Sequence, residues 1–438
     1  LPATAAFGIA ALISGVIRLA NLWFNGRLAA AVGSDLGFEA YRRTLCMPYG
    51  FHVQRNSATV IHAITGQVSR ATEALKYACV LATSVVISFS ICAGLFLVNW
   101  KVALSSVILF GGMYALLASA FRKKMRRNSG LIAESATLVL KLVREGLGAI
   151  REVLLEGSQP YYCETYLKAD RRQRRLQATN DFLVASPRIG LETVGIVVIA
   201  FMSLLLVLRQ GNGPGAISLI GVLALGAQRL LPALQQGYIG WAYIKAYGAD
   251  LEAVLALVQQ PTPARVHLVL PFTPSRSIVL SAVDFQYGTD APMVLRNLDL
   301  EIPVGQRIGL VGSTGSGKST ILDILMGLLL PTNGKLMVDG CDIHDPRYPE
   351  RLPSWMASIS HVPQNIFLCD SSFAENIAFG VSPDQIDLLR VQQAAKQAQI
   401  ASFIESTAGG YETFVGERGI RLSGGQRQRI AIARALYK

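Results

Sequence analysis

Five stretches of about twenty apolar residues, at roughly 4–24, 78–98, 102–121, 189–208 and 214–235, constrain this chain more than any other feature. Each is long enough to cross the ~30 Å hydrocarbon core of a bilayer as a helix. Composition agrees, because 51% of the residues are hydrophobic and only 16% are charged, against roughly 25% charged in soluble domains. The connections alternate in character. Asn99-Trp100-Lys101 and Gly211-Asn212-Gly213 read as tight turns, whereas 25–77 and 122–181 are long and basic. The positive-inside rule places the long connections in the cytoplasm, as helices that continue beyond the membrane and turn back. Five spans with a cytoplasmic C-terminal domain imply a further helix ahead of Leu1, and no secretory signal is expected at this N-terminus.

A net charge of +12 could point to nucleic acid. Its distribution argues otherwise: thirteen Lys and Arg lie between Arg122 and Arg175, in runs at 122–127 and 171–175 flanked by apolar stretches. That is juxtamembrane charge, and no nucleic-acid partner is expected. The six cysteines, Cys46, Cys79, Cys92, Cys163, Cys341 and Cys369, show no C-x-x-C spacing. They read as reduced thiols, neither a zinc site nor a disulfide framework.

Gln259-Gln260-Pro261-Thr262-Pro263 breaks the helical pattern, and Pro271 and Pro274 follow. The expected organisation is a membrane domain over 1–258, a linker over 259–276 and a second domain over 277–438. In that second domain, β-branched runs at 278–280, 307–311, 336–338 and 359–362 alternate with helical patterns, which predicts an α/β domain with a covered sheet.

The run Arg307-Ile308-Gly309-Leu310-Val311 predicts a buried strand, and an apolar helix is expected from Ile321 onward. Between them stand Gly312, Ser313, Thr314, Gly315, Ser316, Gly317, Lys318, Ser319 and Thr320, the G-x-x-x-x-G-K-[ST] phosphate loop in its required setting. Backbone N–H groups in such a loop curl around phosphate oxygens at a helix N-terminus. Lys318 would neutralise the β and γ phosphates of ATP, and the Ser319 hydroxyl would ligate Mg²⁺. About a hundred residues on, Leu422-Ser423-Gly424-Gly425-Gln426 opens a helix that runs through Arg434 and forms a second anion-ready helix start.

The segment Leu422 to Gln426, with the residues after it, resembles the signature segment of ATP-binding cassettes. The whole chain resembles an ABC exporter half-transporter: a polytopic helical membrane domain followed by an α/β P-loop cassette. The resemblance implies a dimer in which the signature segment of one subunit binds the ATP of the other. It assigns Tyr287 to adenine stacking and Gln364 to Mg²⁺ and to coupling with the membrane domain. Gly416-Glu417-Arg418-Gly419 is similar to a loop that exporters place against their cytoplasmic helices. The family's acidic strand, with its catalytic Glu, and its switch His are expected beyond Lys438, so 1–438 alone is not expected to hydrolyse ATP. None of the five histidines fits the switch role.

Three short segments, 64–68, 187–192 and 228–232, are similar to flippases of lipid-linked oligosaccharides. This implies ATP-driven export or flipping of an amphipathic or lipid-linked substrate across the cytoplasmic membrane. Arg18, Arg188 and Arg229 fall in the inner-leaflet half of their spans and are the candidate substrate-cavity residues. Arg188 and Glu192 are also i,i+4 neighbours able to pair with each other. Export of peptides or drugs is the alternative within the family. A soluble cassette ATPase of DNA maintenance is the alternative outside it, and the five spans count against that one.

Overall fold

In the computed structural model the chain divides into two compact units, residues 1–263 and 264–438. The structure describes residues 2–98, 100, 104, 108, 111–210, 214–260, 270–288 and 290–438, without the side chains of 3, 98, 191, 198–199, 202–210, 214–227, 229 and 418. Gly211-Asn212-Gly213, Asn99 and Lys101 of the other expected turn, seven residues of the span at 102–121 and residues 261–269 of the linker lie outside the described residues.

The first unit is helical. Its long helices are α1 (Pro2–Leu45), α2 (Val68–Val98), α3 (Gly112–Gly148), α4 (Gln159–Gln210) and α5 (Pro214–Ala246), followed by the shorter α6 (Gly248–Val258). With 44 residues, α1 is about 66 Å long, twice what a bilayer core requires. The basic connections are therefore helix over most of their length. Thr4–Leu45 and Ser57–Leu97 are each long and apolar enough to cross a membrane. Phe7 and Phe89 stand more than 70% exposed in them, as residues that face lipid would. Pro48 sits just beyond the end of α1, where a ring without an N–H stops a helix.

Residues 63–67, which overlap the flippase-like segment 64–68, form one π-helical turn ahead of α2. Such bulges occur mostly as single turns and often at functional sites.

Two cores hold the unit together. Ala40, Val68, Ala71 and Val254 join α1, α2 and α6. Tyr114, Met125, Leu183, Val184, Leu230 and Tyr238 join α3, α4 and α5. At Gly240 of α5 an added Cβ would come within 2.7 Å of the Tyr77 carbonyl oxygen, so only glycine lets α5 approach α2 this closely. Pro187 lies inside α4 and deprives the Leu183 carbonyl of its i→i−4 donor. The Tyr238 hydroxyl of α5 donates to that buried oxygen at 3.0 Å. The cross-helix bond restores what the proline removes.

The second unit contains a sheet of four strands: β1 (Ser277–Phe285), β2 (Leu295–Pro303), β3 (Asn333–Val338) and the short β4 (Cys341–Asp342), in the order β2-β1-β3-β4. Every pairing in it is antiparallel. This corrects part of the sequence reading. The runs at 307–311 and 359–362 pair with nothing among the described residues, and Val311 is 97% exposed where a buried strand was expected. A strand is buried only when neighbours flank it, and Ile308, Val311 and Val362 of these runs are exposed instead.

The helices that position the candidate residues are α7 (Lys318–Leu325), α8 (Phe373–Ile377), α9 (Leu388–Gln397) and α10 (Gly424–Tyr437). One core packs β1, β2 and β3 against Ile324 of α7 and Trp355. A second core packs α8 and α9 against Ile430 and Ala433 of α10.

Candidate nucleotide site and membrane-domain cavity

The loop before α7 bends through Gly315 and Gly317, at φ +85° and +90°, a region that disfavours any residue with a Cβ. At Gly317 a Cβ would also lie 2.8 Å from Leu295 Cδ2. Gly317 is the N-cap of α7 and supplies no side-chain acceptor, so the first N–H groups of that helix have no side-chain cap. The Lys318 ammonium folds over the loop and donates to the carbonyls of Gly312 at 2.9 Å and Ser313 at 2.7 Å. A cation thus stands against the loop whose free N–H groups suit an anion. Ser319 is exposed on the first turn, whereas Thr320 is buried and its hydroxyl meets the Tyr287 hydroxyl at 3.1 Å. Tyr287 packs edge-on to Phe285, with ring centroids 4.9 Å apart. Loop, Thr320 and the aromatic at the end of β1 therefore form one assembly, while Ser313, Thr314 and Ser316 stay exposed.

The second helix start is built differently. Ser423 accepts from the Gln426 N–H at 3.2 Å, and the Gln426 side chain accepts from the Ser423 N–H at 2.8 Å, a reciprocal capping box. Leu422 is buried in the core of α8 and α9 and anchors the segment, whereas Gly424 and Gly425 are open, with nothing within 4 Å of where a Cβ would stand. The S-x-x-Q spacing is itself a capping signal in the sequence. Within this unit the phosphate loop and the signature helix rest on separate cores, and no hydrogen bond joins them among the described residues.

Gln364 is exposed in an irregular segment. Sequence reasoning missed what holds that segment. Arg434 of α10 donates to the carbonyl of Phe367 at 3.1 Å and to that of Asn376 at 2.9 Å. The Asn376 side chain is fully buried and bonds the backbone of Cys369 in both directions. Burial lowers the pKa of the Arg434 guanidinium from its ordinary value. An arginine inside the apolar run Ala431 to Leu436 was the available signal.

In the membrane unit, a cavity of about 230 Å³ is lined by Tyr114, Arg188, Glu192, Gln228, Leu231 and Gln235, with Pro232. It brings together two of the three flippase-like segments. Arg188 lies 3.9 Å from Glu192, the i,i+4 pairing foreseen from spacing. Arg18 is exposed on α1 and does not line this cavity. The side chain of Arg229 lies outside the described residues.

Comparison with known proteins bears on both units. An ATP-dependent lipid A-core flippase of Alkalilimnicola ehrlichii is 28% identical over 434 residues, covering 98% of this chain and 72% of the flippase. The heterocyst differentiation ATP-binding protein HepA of a Nostoc species is 27% identical over 433 residues, covering 98% of this chain and 70% of HepA. A solved structure of a bacterial Atm1-family ABC exporter with ATP bound matches the fold with a TM-score of 0.80 at 24% identity, over 94% of this chain and 71% of the exporter chain. The ABC transporter family matches residues 295–438, and the ABC transporter transmembrane region matches residues 3–225. With a multi-pass membrane half and a cytoplasmic ATPase domain, the chain belongs to the ABC transporter family.

Proposed function

We propose that this chain is one half of an ATP-driven flippase or exporter, and that ATP binds between two such halves. Lys318 and the N–H groups of 312–320 hold the phosphates of one nucleotide, Tyr287 faces its base, and Ser423 to Gln426 of the opposing subunit close over it. The observation that carries this reading is the pair of exposed, anion-ready helix starts set on separate cores. Each is open to solvent, so a second subunit can complete the site. Ser319 and Gln364 offer hard oxygen donors of the kind Mg²⁺ takes alongside substrate phosphates and waters. Among the described residues no group of three or more His, Cys, Asp or Glu could hold a metal by itself. Bound Mg²⁺ would supply charge neutralisation between the phosphates.

Ser423→Arg is expected to abolish ATP-dependent closure of the two cassettes, read as a distance change between spin labels on them. Closure at the parent's level in that variant would overturn the shared site.

The substrate class proposed is an amphipathic, lipid-linked anion. Support comes from the lipid A-core flippases among the relatives and from a cavity that presents Arg188 beside amide side chains. A reconstituted Arg188→Ala variant is expected to transport anionic-headed lipids more slowly than the parent. A parental rate would remove Arg188 from the substrate path.

A further inference from the structure

The membrane unit holds a second cleft, of about 360 Å³, between α3 and the break that joins α5 to α6. Its lining includes the cations Arg122, Arg126 and Lys245, the apolar side chains Ile244, Leu251 and Leu255, and one carboxylate, Glu252. Arg122 and Arg126 are four residues apart on α3 and so share a face. Neither they nor Lys245 lie within ion-pair distance of any carboxylate among the described residues. This sets the cleft apart from the Arg188 cavity, where the cation has its own carboxylate at 3.9 Å. Uncompensated cations gathered over apolar side chains suit a ligand with a negative end and a hydrocarbon end.

Position narrows the choice. Arg122 follows directly on the apolar run 102–121, so the cleft opens at the cytoplasmic end of a span, at the depth of lipid head groups. Anionic lipids of that leaflet are drawn to basic side chains near the surface. The volume falls in the range of small-molecule sites, about 300–1,000 Å³.

We infer that this cleft is a docking site for the phosphate head group of an anionic membrane lipid, held by Arg122, Arg126 and Lys245. The site is separate from the nucleotide and from the Arg188 cavity, and it stands whatever the transported molecule is. The lone carboxylate Glu252 limits its affinity for a dianion.

The test uses purified protein in phosphatidylcholine nanodiscs doped with dioleoyl phosphatidic acid, without nucleotide, so that its outcome is independent of transport. Retained lipid is counted by native mass spectrometry. The parent is expected to retain phosphatidic acid over phosphatidylcholine, with preference falling as salt is raised. Arg122→Gln with Arg126→Gln is expected to lose at least tenfold in apparent affinity, Lys245→Gln several-fold, and Glu252→Gln to gain. These side chains carry no ion pair among the described residues, so the variants should keep the parent's melting temperature. Parental retention in both the arginine double variant and Lys245→Gln would overturn the site. Equal binding of soluble glycerol 3-phosphate would overturn the lipid as its source.

Discussion

The helix starts at Lys318 and at Gly424 face the same physical problem and meet it in opposite ways. Each leaves N–H groups without intrahelical acceptors. At Lys318 no side chain among the described residues caps them: the N-cap is a glycine at φ +90°, and the adjacent charge is a cation. At Gly424 the chain fills one itself, because Ser423 and Gln426 cap each other. On the proposed reading, the first start is the one that takes a phosphate. The second is capped by its own chain, so under the proposed function a nucleotide from the opposing subunit would compete with, or add to, an existing cap.

Lys318→Ala should break this contrast most severely. Removing a charge-assisted bond to phosphate costs about 3 kcal/mol, or roughly 100-fold in nucleotide affinity. Thermal stability without nucleotide should barely change, since among the described residues the ammonium bonds only exposed loop oxygens, the carbonyls of Gly312 and Ser313 and the Ser316 hydroxyl. Calorimetric titration with ATP, alongside melting curves, separates the two effects. A variant that bound ATP normally would show that the loop backbone alone carries recognition.

Gly317→Ala comes next. An alanine forced to φ +90° costs about 1–3 kcal/mol, and its Cβ would collide with Leu295. Unlike Lys318→Ala, it is expected to lower both nucleotide affinity, by about tenfold, and the melting temperature of the cassette. Loss of affinity alone would mean that β2 yields to the added methyl.

These contrasts were partly legible in the sequence. The phosphate loop and signature are local strings whose chemistry depends on neighbours a few residues away, so their helices and glycine bends could be anticipated. The long cytoplasmic helices were legible for the same reason, as sustained apolar and basic patterns. Strand pairing is not local. The run 307–311 reads as a buried strand from its own residues, yet Val311 is exposed because burial depends on which strands lie alongside. Tyr238 satisfying Leu183, at 55 residues' separation, and Arg434 holding the segment after Gln364 are likewise products of packing that no periodicity encodes. The arginines of the spans illustrate the limit: spacing gave the Arg188–Glu192 pair, but not which side chains share its cavity.

Ser423→Ala tests the self-capped start. Loss of the N-cap should cost about 1 kcal/mol of stability. Nucleotide affinity measured on separated subunits should stay at the parent's value, the mirror image of Lys318→Ala. If affinity fell as far as in Lys318→Ala, the two starts would belong to one site within a single chain, and the separation of their cores would have no functional meaning.

The smallest effect concerns a third place where N–H groups gather, and here the anion is part of the chain. The Asp339 carboxylate accepts from the backbone N–H groups of Ser275 at 2.7 Å, Arg276 at 2.7 Å and Ser277 at 3.1 Å, and so ties the approach to β1 onto the turn after β3. It does internally what a phosphate would do at the loop before Lys318. The Ser275 N–H bond, with those of Arg276 and Ser277, holds the Asp339 pKa down at about 2, from an ordinary 3.8. A folded-state value below the unfolded one means that the carboxylate stabilises the cassette fully above the unfolded pKa. That contribution is lost as pH falls through about 2. Asp339→Asn cannot carry the charge at any pH. It should therefore melt below the parent at pH 7, with the gap narrowing between about pH 4 and pH 2. The exposure of the site keeps the gap small, so melts at closely spaced pH values are needed to read it. A gap that stayed constant down to pH 2 would mean that hydrogen-bond geometry, not charge, does the work at Asp339. It would also weaken the expectation that charge dominates at the start of α7.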